Sequence, residues 1–296
     1  MLKESLRSRG VSDRIKFMRF FFLVIVAGLS YFLSAEPTER GILASEALKK
    51  LKEGNQRFVE ERVMRPNQTF DRLMKVSTGQ HPFVSILSCS DSRVPPEMLF
   101  DQGFGDLFVV RVAGNVADTD EIGTLEYGVG HLGTELIVVL GHTKCGAVSA
   151  VAKGASVGGH IPALVDNIIP AVKKAKGEGV KESGLIDRAI ELNAFQGIED
   201  ILIRSKEIRH LVYQHRVTLV GAVYDLSTGK VKWMGEHPDQ ERILKFFASE
   251  KSHTEGAEGS ISKPDTGKKK ESSTLKSPSA VRSASDGDAA AESAGP

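Results

Sequence analysis

The sequence is poor in the residues that mark several classes of protein. It contains 2 cysteines, 1 tryptophan and 6% aromatic residues, and 39 basic residues against 38 acidic ones give a net charge of +1 at pH 7. Two cysteines cannot build a disulfide-dense scaffold. A balanced charge with few aromatic residues provides neither a basic surface nor a stacking platform, so the sequence predicts no nucleic-acid partner. With 41% hydrophobic residues, the composition is that of an ordinary globular protein.

The N-terminal segment, residues 1–35, differs from the rest of the chain. A basic stretch is followed by an uncharged, mostly apolar run from Phe20 to Ala35. This pattern is typical of a secretory signal peptide, and the run is somewhat shorter than the roughly 20 apolar residues of a spanning helix. We therefore expect export to the periplasm. The alternatives are a retained inner-membrane anchor at residues 20–35, which would be the protein's only membrane contact, and a soluble structural helix.

The C-terminal segment, residues 249–296, has low complexity. It is rich in Ser, Ala, Gly, Lys and Glu, and it contains no aromatic residue. Such a segment cannot bury enough apolar surface to offset the entropy of ordering the chain. The sequence therefore predicts a disordered tail and a folded catalytic domain at residues 36–248.

Within that domain, short β-branched runs alternate with helical patterns. The runs FVSILS, LFVVRV, LIVVLG and VTLVGAVYD are typical of strands buried on both faces of a parallel sheet. A first helix is predicted from Ser45, as its N-cap, to about Glu61, and later helical patterns include IPALVDNIIPAVKKAK and Leu185 to Arg209. STGK predicts a turn into a last, antiparallel strand. The predicted fold is α/β, with a mostly parallel central β-sheet flanked by helices and an N-terminal helical arm.

The segment from Gly128 to Gly133 matches the pattern G-x-G-x-x-G. A dinucleotide-binding fingerprint must follow a strand and open a helix. Here the glycines close a helical pattern and precede the strand-like run ELIVVL. The pattern therefore predicts the end of a helix and not a nucleotide site.

Two short segments supply the residue types that bind a metal. SCSDSR contributes Cys89 and Asp91, and GHTKCG contributes His142 and Cys145. Each segment follows a strand-like run, and ligands of α/β sheets collect at the carboxyl ends of strands. Two thiolates, an imidazole and a carboxylate are donors that Zn²⁺ binds tetrahedrally. The alternatives are a disulfide and two unconnected core cysteines, neither of which explains Asp91, Arg93 and His142 at these spacings.

From about Ala44 to Gly235 the chain resembles the β-class carbonic anhydrases. The family signature C-x-D-x-R, followed further along by H-x-x-C, is present as Cys89, Asp91 and Arg93 and then His142 and Cys145. The flanking sequences FDQGFGDLFVVRVAGN and LIVVLGHTKCGAV are similar as well. The resemblance implies a carbonate dehydratase, which hydrates CO₂ reversibly to bicarbonate and a proton by zinc-bound hydroxide. It also implies one Zn²⁺ per subunit.

The resemblance also implies the roles of these residues. Cys89, His142 and Cys145 would bind zinc. Asp91 would either be the fourth ligand, which blocks turnover, or pair with Arg93 and leave the metal open to water.

Further residues match the substrate pocket of the family. These are Gln80, Phe108, Tyr127 and Gly146, some of them contributed across a dimer interface in the family. We expect a homodimer or a homotetramer in which the N-terminal helix lies across the neighbouring subunit. Ile86 stands where some bacterial members have the tryptophan of a regulatory bicarbonate site, so the sequence predicts no such site.

Two other functions are compatible with the sequence. An enzyme of the same fold could hydrolyse CS₂ or carbonyl sulfide, and substrate access would then separate it from a CO₂ hydratase. A non-catalytic interaction module, stabilised by zinc or by a disulfide, would show no metal-dependent CO₂ hydration.

Overall fold

The structure, a computed structural model, describes residues 42–257, and for residues 250–257 it describes only the backbone. The predicted signal peptide or anchor at residues 1–35 and most of the predicted tail lie outside the described residues. The chain divides into a unit that ends at Lys251 and a unit that begins at Ser252. No helix between residues 42 and 257 is long and apolar enough to cross a membrane.

One sheet of five strands, in the order β2-β1-β3-β4-β5, forms the centre of the first unit. The strands are β1 (Val84–Cys89), β2 (Leu107–Val112), β3 (Leu136–His142), β4 (Thr218–Tyr224) and β5 (Val231–Gly235). The first four are parallel, and β5 is antiparallel to β4. Every residue of β1 and β3 is buried, as in parallel strands covered on both faces. The predicted α/β fold with an antiparallel edge is confirmed.

The parallel strands are connected through helices, and a turn joins β4 to β5. The described helices are α1 (Ala44–Val59), α2 (Phe70–Val76), α3 (Pro96–Leu99), α4 (Thr119–Gly130), α5 (Gly146–Ala152), α6 (Ile161–Asp166), α7 (Ile169–Gly177), α8 (Glu182–Arg204), α9 (Lys206–Tyr213) and α10 (Gln240–Ala257). A short 3₁₀ turn covers Ala113–Asn115. The last helix continues past the boundary predicted at residue 249. Gly128 and Gly130 lie in the last turn of α4, as the sequence predicts.

Helix boundaries differ from the prediction at three places. Ser45 is not an N-cap, because α1 begins at Ala44 and its cap position lacks a side-chain hydrogen bond. The pattern IPALVDNIIPAVKKAK forms two helices, since a proline favours the first turn of α7 over a helix interior. The long pattern after Leu185 breaks at Ser205, whose hydroxyl caps α9 by accepting a hydrogen bond from the Ile208 N–H. The short helices α2 and α3 were not predicted.

Helices cover both faces of the sheet. On one face α1 buries Ala47 and Leu51 in a cluster that contains Ile86 of β1. On the other face α4, α8, α9 and α10 bury a second cluster, which contains Leu87 of β1 and Ile201 of α8. The predicted N-terminal arm is therefore a helix whose apolar face packs on the sheet of its own chain. Ile86 is fully buried in that interface.

Helix α1 meets the end of α3 at Gly54. A Cβ atom at Gly54 would lie 1.8 Å from the carbonyl oxygen of Phe100, so only glycine fits there. The next residue, Asn55, donates from Nδ2 to the Leu99 carbonyl at 3.2 Å and accepts from the Val231 N–H at 2.9 Å. These contacts join α1 to α3 and to the beginning of β5.

Substitution of Gly54 tests this close approach. Gly54→Ala should lower the free energy of unfolding by roughly 1–3 kcal/mol, because overpacking displaces the backbone. Gly123→Ala in α4 is the matched control, since no atom lies within 4 Å of its added Cβ. It should raise stability by roughly 0.5–1 kcal/mol through helix propensity. Urea unfolding followed by circular dichroism measures both, and equal effects at the two positions would contradict the described packing.

Candidate metal centre

The pairing of two central strands creates the site. β1 and β3 are parallel neighbours with Ser88 opposite Leu140, so their carboxyl ends lie at the same edge of the sheet. Cys89 is the last residue of β1 and His142 the last of β3, and Cys145 is the N-cap residue of α5. One ligand atom from each of these three buried residues lies within 4.8 Å of the other two. The sequence-predicted cysteines and histidine are thus brought together.

The histidine ring is oriented for metal binding. His142 Nδ1 lies 2.9 Å from the backbone carbonyl of Thr143, which is an acceptor, so Nδ1 carries the proton. Nε2 is buried and has no hydrogen-bond partner among the described residues. Metal-binding histidines commonly donate their second ring N–H to a carbonyl in this way. An unpartnered imidazole nitrogen beside two thiols fits Zn²⁺, which binds nitrogen and sulfur ligands of these types.

The two thiols are free and buried, so the disulfide alternative is not the arrangement found. Contact with Cys145 lowers the pKa of the Cys89 thiol, and the Gly114 N–H donates to Cys89 Sγ at 3.3 Å. Contact with Cys89 and burial raise the pKa of Cys145. Metal binding releases protons from the two cysteines, because zinc binds thiolates.

Asp91 is paired with Arg93 by two parallel hydrogen bonds. Arg93 donates from Nε to Oδ1 at 2.9 Å and from Nη2 to Oδ2 at 2.7 Å. These side-chain bonds are the main reason that the pKa of Asp91 lies well below its ordinary value. Asp91 Oδ2 lies 3.8 Å from His142 Nε2, at the border of the ligand group. Of the two arrangements that the sequence left open for Asp91, the structure has the arginine-paired one.

Arg111, on β2, holds the segment that carries Cys89 and Asp91. Its Nε donates to the Cys89 carbonyl at 3.1 Å, and its Nη2 donates to the Asp91 carbonyl at 2.7 Å. Arg111 lies opposite Ser88 in the β1–β2 register, so the strand pairing determines which carbonyls it reaches. The backbone between the first ligand and the Asp91–Arg93 pair is therefore fixed from the neighbouring strand.

The residues predicted for the substrate pocket lie in two places. Gly146 follows Cys145 at the metal edge, and no atom lies within 4 Å of a Cβ added there. Gln80 precedes β1, and Phe108 is the second residue of β2, so both lie toward the opposite edge of the sheet. Tyr127 lies with Phe108, their ring centroids 6.0 Å apart. A strand as long as β1 spans about 17 Å, so these three residues lie far from their own chain's metal ligands.

Two residues at the site were missed in the sequence. Gly114 donates its N–H to Cys89, and Asn193 of α8 donates from Nδ2 to the Gly114 carbonyl at 2.7 Å. The available signals were a glycine two residues after a strand and an asparagine between Leu192 and Ala194 in a helix. Neither signal identifies a contact partner, because both partners are distant in sequence.

Comparison with known proteins places the chain in a family. The family model for carbonic anhydrase matches residues 84–231. Carbonic anhydrase 2 of Mycobacterium tuberculosis is 38% identical over 188 residues, which cover 62% of this chain and 89% of that protein.

Two solved structures are similar over most of their length. The β-carbonic anhydrase CafA of Aspergillus fumigatus has a TM-score of 0.55 and 26% identity, covering 70% of this chain and 97% of that chain. The Coccomyxa β-carbonic anhydrase, solved with acetazolamide, has a TM-score of 0.53 and 27% identity, covering 72% and 99%. With the zinc-binding group and the parallel sheet, these similarities show that the chain belongs to the β-class carbonic anhydrase family.

Proposed function

We propose that the protein hydrates CO₂ reversibly to bicarbonate and a proton, with one Zn²⁺ bound by Cys89, His142 and Cys145. The observation that carries this conclusion is the buried group of three ligand atoms within 4.8 Å of one another. Zinc at such a site is a Lewis acid that makes bound water acidic near neutral pH. Because Arg93 holds the Asp91 carboxylate, water rather than Asp91 would complete the ligands of the ion.

Asp91 orients the reacting water. An aspartate is ionised at neutral pH, and the hydrogen bonds from Arg93 lower its pKa further, so Asp91 can only accept a hydrogen bond. By accepting a hydrogen bond from that water, the carboxylate would turn a lone pair of the water oxygen toward CO₂. Arg93 keeps the carboxylate in place with a bidentate, charge-assisted contact. Asp91 and Arg93 thus act as a catalytic pair, and Asp91 is not a permanent zinc ligand.

Gln80, Phe108 and Tyr127 line the metal site of a partner subunit in a homodimer. They lie at the opposite edge of the sheet from the ligands of their own chain, so they are too far to act in cis. β2 is an edge strand of the sheet. A two-fold axis beside β2 and perpendicular to the sheet would set the amino end of one β2 next to the carboxyl end of the other. That symmetry brings these residues toward the partner's zinc.

Exposed apolar residues at the same edge support this assembly. α2 has no buried residue, and its apolar residues Phe70, Leu73 and Met74 are exposed at helical spacing. Tyr127 is 47% exposed, although it belongs to the predicted CO₂ pocket. A second copy of the chain would cover these side chains. Burial of apolar surface is the main driving force for such association.

We further propose export of the protein to the periplasm. The basic start and apolar run of residues 1–35 support a signal peptide, with retention as an inner-membrane anchor as the alternative outcome.

Removal of zinc should abolish activity. Protein treated with dipicolinate should lose CO₂ hydration in a stopped-flow assay and regain it when Zn²⁺ is added, because the reaction needs a Lewis acid. Cys145→Ser should contain much less zinc and should not be restored by added metal. Hydration at the original rate in protein shown by mass spectrometry to be metal-free would refute the proposed function.

Substitution of Asp91 tests its role as a hydrogen-bond acceptor. Asp91→Asn keeps the side-chain size but loses the charge, and kcat/KM should fall on the order of 10²-fold. Arg93→Lys should also lower kcat/KM, because lysine keeps the charge but cannot form the two-bond fork. Zinc content, measured on the same samples, should stay at the original level in Asp91→Asn. A fully active, zinc-loaded Asp91→Asn enzyme would exclude this role.

Mixed dimers test the contribution of the partner. A heterodimer of a Cys145→Ser chain and a Gln80→Ala chain, purified through two tags, should have about half the activity of the unmodified dimer. One of its sites then combines an intact zinc centre with an intact Gln80 from the partner. The control carries both substitutions on one chain opposite an unmodified chain, and its activity should be no higher than that of Gln80→Ala alone. If Gln80 acts on the metal site of its own chain, the first heterodimer will have the low activity and the control will have about half the activity of the unmodified dimer.

A further inference from the structure

The turn beside the first zinc ligand has an unusual backbone conformation. Gly114 and Asn115 both have positive φ, at 77° and 46°. Positive φ is easily adopted by glycine but is uncommon for other residues. This conformation aims the Gly114 N–H at Cys89 Sγ, 3.3 Å away. The turn therefore needs outside contacts to keep this shape.

Packing holds one side of the turn. A Cβ atom at Gly114 would lie 2.7 Å from Ile168 Cδ1 and 3.2 Å from the Cβ of Ala147. Ala147 lies in α5, two residues after the ligand Cys145. The turn thus packs against α5, whose N-cap residue is the ligand Cys145, and against the residue that precedes α7. Apolar packing alone, however, does not select the direction in which a peptide N–H points.

A hydrogen bond from α8 holds the carbonyl group of the same glycine and so restricts its backbone conformation. Asn193 is only 2% exposed and lies among apolar residues, with Leu192 and Ala194 on either side. Its Nδ2 donates to the Gly114 carbonyl at 2.7 Å. The amide satisfies a buried backbone carbonyl, which would otherwise be left without a hydrogen-bond partner at a cost in free energy. This bond anchors the turn to the middle of a 23-residue helix.

We propose that Asn193 is a positioning residue of the zinc centre. By holding the Gly114 carbonyl, it restricts rotation of the Gly114 backbone and so keeps the Gly114 N–H directed at the Cys89 thiolate. The N–H···S bond orients the sulfur within the group of three ligand atoms, and it also withdraws electron density from the sulfur. Asn193 thereby influences metal affinity and metal electronic structure without touching the metal. The inference rests on the zinc assignment but not on hydration of CO₂.

Cobalt substitution tests the proposal in the full-length protein. Asn193→Leu keeps the approximate size of the side chain but has no hydrogen-bond donor. Asn193→Ala removes the amide and cannot overpack the site. In both, the sulfur-to-cobalt charge-transfer band should shift relative to the unmodified protein. Zinc affinity, measured by competition with a chelator, should fall about 10–100-fold, as for other residues that orient metal ligands. If Asn193→Leu does not fold, Asn193→Ala carries the test.

Ile201→Ala is the matched control. Ile201 is fully buried in the same helix, about two turns from Asn193. This variant should lower the melting temperature but leave the cobalt spectrum and the zinc affinity unchanged. Asn193 variants that lose stability with an unchanged spectrum and affinity would overturn the proposal. Failure of the unmodified protein to bind cobalt or zinc would instead refute the zinc assignment itself, so the two failures are distinguishable.

Discussion

The parallel pairing of β1 with β3 is the constraint on which the site depends. It sets Ser88 opposite Leu140, and this register brings Cys89 and His142 to one edge. A slip of one residue would turn every side chain of β1 to the other face of the sheet. Ile86 and Leu87 lie in separate clusters on the two faces, yet both are aliphatic. Polar contacts at the carboxyl end, such as those from Arg111, therefore help to select the register.

Charge balance explains the arrangement around the ligands. Zn²⁺ with two thiolates and a neutral imidazole carries no net charge, so a further carboxylate near the metal would add an uncompensated negative charge. Buried charge is unfavourable unless it is paired. Arg93 neutralises Asp91 through a two-bond contact while its own side chain is 54% exposed to water. The pair is thus stable beside the zinc site, and the carboxylate keeps an oxygen that can accept a hydrogen bond.

The features that the sequence predicted are those encoded locally. The strands could be predicted from β-branched runs, and the ligand group from two short motifs that each follow a strand. The break in the helix at Ser205 was missed, because a serine also fits a continuous helical pattern. Whether it caps a new helix depends on its tertiary contacts. The Asn193–Gly114 contact joins residues distant in sequence, so no local pattern could reveal it. The sequence left open whether Asp91 binds the metal or pairs with Arg93, because a carboxylate can do either.

The two edges of the sheet explain why a dimer suits this fold. A parallel sheet directs its ligands to the carboxyl edge, and Cys89 and His142 lie there. Gln80, Phe108 and Tyr127 lie toward the opposite edge, which has no metal ligands of the same chain. In the proposed dimer, two-fold symmetry makes neighbouring β2 strands run in opposite directions, so each amino edge meets a carboxyl edge. In that arrangement one chain would contribute the zinc ligands, and the other would contribute Phe108, Tyr127 and the amide of Gln80. Neither contribution requires a change in the fold of the protomer.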